Sequence, residues 1–196
     1  MTIFETLKAN LERRGFAVTC FETAEEAAAY LEEKLAGKTV GYGGSTTLTE
    51  MGLPARLDAC SKVISHWRGN PLTEAAVTQA YLSSVNAIAE TGEIINIDGT
   101  GNRVASTIFG HEMLYLIVGR NKITPDYDAA LWRARNIAAP KNAQRLNRKT
   151  PCAVKADRCY DCSSPERICK ALSVLWQKPN GIAYAEVVLI NQDLGY

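Results

Sequence analysis

Residues Met113–Gly119 read MLYLIVG, a run without a charge and without alternation between polar and apolar positions. A strand with one face in water alternates. An unbroken apolar run is the pattern of a strand covered on both faces, as in parallel sheets flanked by helices. Outward from this run, further strands are predicted at Phe16–Phe21 (FAVTCF), Lys38–Tyr42 (KTVGY), Lys62–Trp67 (KVISHW), Asn86–Glu90 (NAIAE), Glu93–Asp98 (EIINID) and Ala185–Gln192 (AEVVLINQ). Thr91-Gly92 between two of them predicts a tight hairpin. Helical spacing of Ile3, Phe4, Leu7 and Leu11 ends at Gly15, and Thr23 with Glu26 forms a capping-box pattern before Ala24–Leu35. Further helices are predicted to start within Thr46–Met51, to run from Leu72 to Leu82, to follow Gly101, and to run from Asp126 to Ala138. Strands alternating with helices predict an α/β fold, a mostly parallel sheet with some antiparallel pairing.

The 196 residues allow one domain over 1–196, with residues 150–170 as a cysteine-rich appendage. Apolar residues make up 46% and charged residues 22%, the ordinary globular range. A net charge of +1 gives no global field to recruit nucleic acid or a membrane surface. No apolar run approaches the ~20 residues of a membrane span. The first residues read as an amphipathic helix without a cleavage pattern, so the expected compartment is the cytoplasm.

The stretch GKTVGYGGSTTLTEMGL, Gly37–Leu53, places Gly41, Gly43 and Gly44 at the end of a predicted strand, with Ser45, Thr46 and Thr47 directly after. Glycine allows a ligand close to the backbone, and the hydroxyls add donors. The expectation is a small anionic ligand, a carboxylate or phosphate, at Gly43, Gly44, Ser45, Thr46 and Thr47. The alternative is a tight turn. The loop is not a P-loop, because no Gly-Lys-Ser/Thr follows.

VGYGGSTTLTEMGL, AIAETGEIINIDGTGNR, APKNAQRLNRKTPC and the final DLGY together resemble the LUD domain, the lactate-utilization protein C family. The resemblance implies a fold similar to the sugar-phosphate isomerase and CoA-transferase superfamily, whose glycine loops hold phosphates, carboxylates or CoA. It also implies a role in oxidising L-lactate beside iron–sulfur partner subunits. In the CoA transferases a glutamate in a similar Glu-x-Gly setting is the nucleophile. Glu90 in AETGE holds the matching place, against the alternative that it orders the turn. Two other readings stay open: an isomerase-like or transferase-like enzyme using Glu90, and a regulatory ligand-binding module. Under each of the three readings a homo-oligomer is a possible partner state.

Asn102 and Arg103, after Gly99 and Gly101, are candidates for binding a carboxylate or phosphate, since guanidinium pairs with such groups in a fork; a solvated turn is the alternative. His111 reads as a packing or capping residue. From Ala129 to Lys149 there is no acidic residue, whereas Arg133, Arg135, Lys141, Arg145, Arg148 and Lys149 are present. This stretch reads as a solvated helix face, an anion-binding wall or a docking surface, and not as a nucleic-acid site.

Cys152, Cys159, Cys162 and Cys169 follow the spacing C-x6-C-x2-C-x6-C. A C-x2-C pair turns two thiolates toward one centre and two outlying cysteines complete four ligands, for zinc or for an iron–sulfur cluster; four unligated cysteines or a pair of disulfides are the alternative. Ser164-Pro165 predicts a helix start just after Cys162. Cys20 and Cys60 read as small buried residues.

Overall fold

The computed structural model describes residues 4–196. Ile3 of the expected N-terminal helix lies outside the described residues. In chain order the elements are α1 (Glu5–Arg13), β1 (Ala17–Phe21), α2 (Ala24–Leu35), β2 (Thr39–Tyr42), α3 (Thr46–Glu50), α4 (Leu53–Leu57), β3 (Lys62–Ile64), α5 (Leu72–Ala75), β4 (Ala80–Ser84), β5 (Ala87–Ala89), β6 (Ile94–Asp98), α6 (Asn102–Ser106), β7 (Met113–Gly119), β8 (Ile123–Thr124), α7 (Tyr127–Arg133), α8 (Ala139–Arg145), α9 (Pro151–Lys155), β9 (Ala171–Leu175) and β10 (Tyr184–Ile190).

Six strands form one parallel sheet in the order β1-β10-β7-β4-β2-β3. Successive residues of β7 point to opposite faces, and both faces are covered. Leu114, Leu116 and Val118 pack with Leu7 and Leu11 of α1 on one side. Tyr115 and Ile117 pack with Ala27, Leu31 and Leu35 of α2 on the other. This is why Met113–Gly119 has no polar alternation. The Thr23 hydroxyl accepts from the Glu26 amide and the Glu26 carboxylate from the Thr23 amide, so the capping box that starts α2 is formed.

A second sheet, β8-β5-β6-β9, stands beside the first. Its β5–β6 hairpin is antiparallel and turns at Gly92, whose φ of +105° suits glycine. Ala87, Ala89 and Ile95 of this sheet pack against Ala130 and Ala134. Asp126 caps α7 by accepting from the Ala129 amide. The helix passes through a π-helical turn, Ala134–Ala138, into α8, where Pro140 supplies no N–H to the ladder. Among the described residues, no helix is long and apolar enough to cross a membrane.

Four expected elements differ. The helix foreseen over Leu72–Leu82 stops at Ala75, and Ala80–Ser84 is a fully buried strand between β2 and β7. Its short apolar run fits either period, and pairing on both edges decides it. The strand expected over Lys62–Trp67 ends at Ile64, where Ser65 caps a 3-10 turn over His66–Arg68. No helix starts at Ser164-Pro165; the chain there is irregular. The segment 150–170 starts in α9, lies against the body through a Lys170 N–H···O=C Asp98 bond, and feeds β9, an unforeseen strand paired with β6.

Candidate functional site

The loops after β2, β4, β6 and β7 gather at one edge of the large sheet, the usual place for ligands in open α/β sheets. Between them lies a cleft of about 260 Å³ whose lining includes Gly44, Trp67, Asn86, Asn102, Arg103 and Arg145. A smaller hollow adjoins it, lined by Ser45, Thr46, Ser84, Lys122 and Tyr196 and sharing Gly44, Asn86, Arg103, Asn142 and Arg145 with the cleft.

The glycines are required by close approach. A Cβ on Gly43 would lie 2.9 Å from the Tyr81 hydroxyl, and one on Gly44 2.9 Å from the Trp67 indole nitrogen. Trp67 in turn carries the Arg145 guanidinium 5.7 Å from its ring centre, a cation–π contact at the mouth of the cleft. Ser45 caps α3, its hydroxyl accepting from the Leu48 amide.

Arg103 lies inside the wall. One terminal nitrogen donates to Asn96 Oδ1 at 2.7 Å and to the Ser84 carbonyl at 3.2 Å; the other donates to the Ile97 carbonyl at 2.7 Å and to Asn86 Oδ1 at 3.2 Å. The guanidinium thus ties the end of β4 to β6 across the two sheets. Burial lowers its pKa, with the nearby Asp98 opposing. The fork expected to grip a ligand is engaged with the protein itself. Asp98 caps α6, accepting from the Val104 and Thr100 amides.

Lys122 is the residue the sequence did not single out. It is 3% exposed. Its Nζ donates to Thr47 Oγ1 at 2.7 Å and to Ser84 Oγ at 2.8 Å. These hydroxyls send their own protons to the Leu194 and Ile117 carbonyls. Burial, helped by Arg133 and Arg103 and opposed by Glu50, pushes its pKa down to about 7. Thr47 is accordingly buried beneath the loop, as a partner of Lys122. The faint signal for Lys122 is its position three residues beyond the end of the central strand, where α/β sites collect.

The basic stretch contributes Arg145 and Arg148 to the cleft lining, whereas Arg133 is buried and donates to the Asn121 and Asn86 carbonyls. The two acidic lining residues, Asp98 and Glu166, already accept backbone N–H groups. Of the lining residues, His66 has its Nδ1, and Tyr196 its hydroxyl, buried without a partner.

Glu90 is not brought to this cleft. It is exposed at the far end of the β5–β6 hairpin, beside α1, where its carbonyl accepts from Asn10. The reason is topological: β5 runs away from the cleft and β6 returns, so the hairpin turn and the ends at Asn86 and Asp98 point opposite ways. His111 lies apart too, stacked on Tyr81 at 4.8 Å with Nδ1 2.7 Å from the Thr78 carbonyl, and burial lowers its pKa.

Cys152, Cys159, Cys162 and Cys169 line one small hollow, which shares Ala139, Arg167 and Ile168 with the cleft. The Arg167 Nε–H lies 3.1 Å from Cys169 Sγ, and the Asp161 amide donates to Cys159 Sγ at 3.3 Å. All six cysteines are free thiols. Among the described residues no group of three or more His, Cys, Asp or Glu stands close enough to hold a metal ion.

The LUD domain family model matches residues 4–190. The chain belongs to the LUD domain family. The fold of this LUD domain is similar to that of a DUF162 family protein from Deinococcus radiodurans, with a TM-score of 0.58 at 15% identity over 96% of each chain. No curated protein matches it significantly.

Proposed function

We propose that this LUD domain binds a small organic anion in the cleft and serves the use of L-lactate or a related organic acid. The observation that carries the reading is the smaller hollow, which Arg103, Arg145 and Lys122 line and no acidic side chain does. Cations in a low-dielectric recess without acidic side chains raise the local concentration of anions. The orphaned His66 and Tyr196 atoms add polar groups for a ligand to satisfy.

We read the four cysteines as the holders of an iron–sulfur cluster, with zinc as the alternative. A cluster spreads its thiolates around several iron atoms, and N–H groups directed at cluster sulfurs are a recognised way to tune them. Cys152, Cys159, Cys162 and Cys169 would hold it, and when bound it would supply one-electron transfer. Because the cysteine hollow adjoins the cleft, Arg167 and Ile168 would separate that group from the organic acid. Electrons would leave to iron–sulfur partner subunits.

Calorimetric titration with L-lactate, pyruvate and inorganic phosphate tests the cleft. At least one should bind, and Arg145→Ala should weaken it about tenfold, which is ~1.4 kcal/mol. No heat from any of the three up to about 10 mM would overturn the reading. Anaerobically purified protein should contain iron and sulfide that Cys159→Ser lacks; iron-free protein would overturn the cluster assignment.

A further inference from the structure

We propose that Lys122 is a nucleophilic amine, and that the hollow at its tip accepts a short 2-oxo acid and condenses with it to an imine. This rests on the reading of the cleft as an anion site and adds the substrate class and the reacting atom.

Lys122 Nζ is bonded to its own Cε and donates two N–H groups, to Thr47 and Ser84. Neither hydroxyl needs its own proton for Nζ, because each hands that proton to a backbone carbonyl. A tetrahedral nitrogen so held keeps one direction in reserve, and in the neutral amine that direction is the lone pair. Lys122 lines the hollow. Among the described residues no carboxylate pairs with it: Glu50 of α3, the acidic group that acts on it, accepts from the Gly195 amide. Two cationic side chains act on it, Arg103 from α6 and Arg133 from α7, and Arg145 from α8 lines the same hollow. A lysine buried among cations with only hydroxyl partners is the setting in which amines act as nucleophiles toward carbonyls.

A lysine serving only to fasten loops would do better with a carboxylate or carbonyl partner, since a buried ammonium without one is expensive. The same hollow offers Arg145 and the Asn142 side chain to the substrate's carboxylate. That places a carbonyl on the adjacent carbon, as a 2-oxo acid has, within the same small space as the amine.

The step balances without a co-reactant. The Nζ lone pair attacks the carbonyl carbon and the carbonyl oxygen takes a proton, giving a carbinolamine. That intermediate loses its hydroxyl as water together with the remaining nitrogen proton, and the C=N bond forms. The imine then withdraws electrons from the neighbouring carbon.

The test uses the whole protein with glyoxylate, the least hindered 2-oxo acid, and with pyruvate, each in the presence of cyanoborohydride. The reagent reduces an imine to a stable secondary amine, which peptide mass mapping locates. One adduct on the peptide holding Lys122 is expected, labelled at least tenfold faster than any surface lysine. Lys122→Arg, which keeps the charge and cannot form the imine, should abolish it while its circular dichroism is unchanged. If that variant fails to fold, the map of the wild-type protein alone decides. No adduct at Lys122, or labelling there no faster than at Lys170 or Lys141, overturns the proposal. Calorimetric binding of pyruvate without the adduct would defeat the imine and leave the anion site standing. Absence of both would remove both.

Discussion

Lys122 makes a sharp thermodynamic demand. Its pKa falls from 10.5 to about 7 on folding. At 1.36 kcal/mol per pH unit this amounts to about 5 kcal/mol of native-state destabilisation. The sign follows from linkage. Between pH 7 and 10.5 the unfolded chain holds the proton and the folded chain does not, so stability rises with pH across that window. Below pH 7 the full penalty is present. Lys122→Met removes the charge at the expense of one accepted hydrogen bond at each of Thr47 and Ser84, ~1 kcal/mol apiece. The variant is therefore expected to be more stable than wild type by about 3 kcal/mol at pH 6.5, and less stable by about 1–2 kcal/mol near pH 10.5. Urea unfolding of both proteins at four pH values between these limits measures the crossing. A difference that stays constant over the range would refute the argument, because it would mean that Lys122 keeps its proton on folding.

Three further outcomes are expected. Glu186 is fully buried and accepts from Thr19 at 2.7 Å, Tyr30 at 3.0 Å and Tyr184 at 2.6 Å, so Glu186→Ala should lower stability by about 3 kcal/mol in urea; a loss under ~1 kcal/mol would contradict that network. The same carboxylate, with burial, raises the Tyr30 and Tyr184 pKa values, so ultraviolet titration should show phenols that resist ionisation until the protein unfolds. Gly44→Ala should push Trp67 off the loop, shift its fluorescence and weaken the bound anion at least tenfold; unchanged fluorescence and binding would contradict the close approach of the two.

The sequence alone made the α/β class legible, because the unbroken apolar run of β7 requires cover on both faces and the capping box and glycine stops are local signals. It located the glycine loop, the β5–β6 hairpin and the four cysteines for the same reason, since each is written in adjacent residues. It did not determine which hairpin end faces the cleft. Glu90 and Asn86 are four residues apart at the two ends of β5, and the direction of that strand sends one to the solvent beside α1 and the other to the cleft. The strand Ala80–Ser84 was illegible because its five residues fit a helix or a strand until β2 and β7 pair with both edges. Lys122 was illegible for a stronger reason. An isolated lysine in GRNKIT is ordinary in sequence, and its buried state exists only because Thr47, Ser84 and Arg133, from three distant segments, close around it. Burial and the loss of water are properties of the assembled fold, so the chemistry of that amine was decided there.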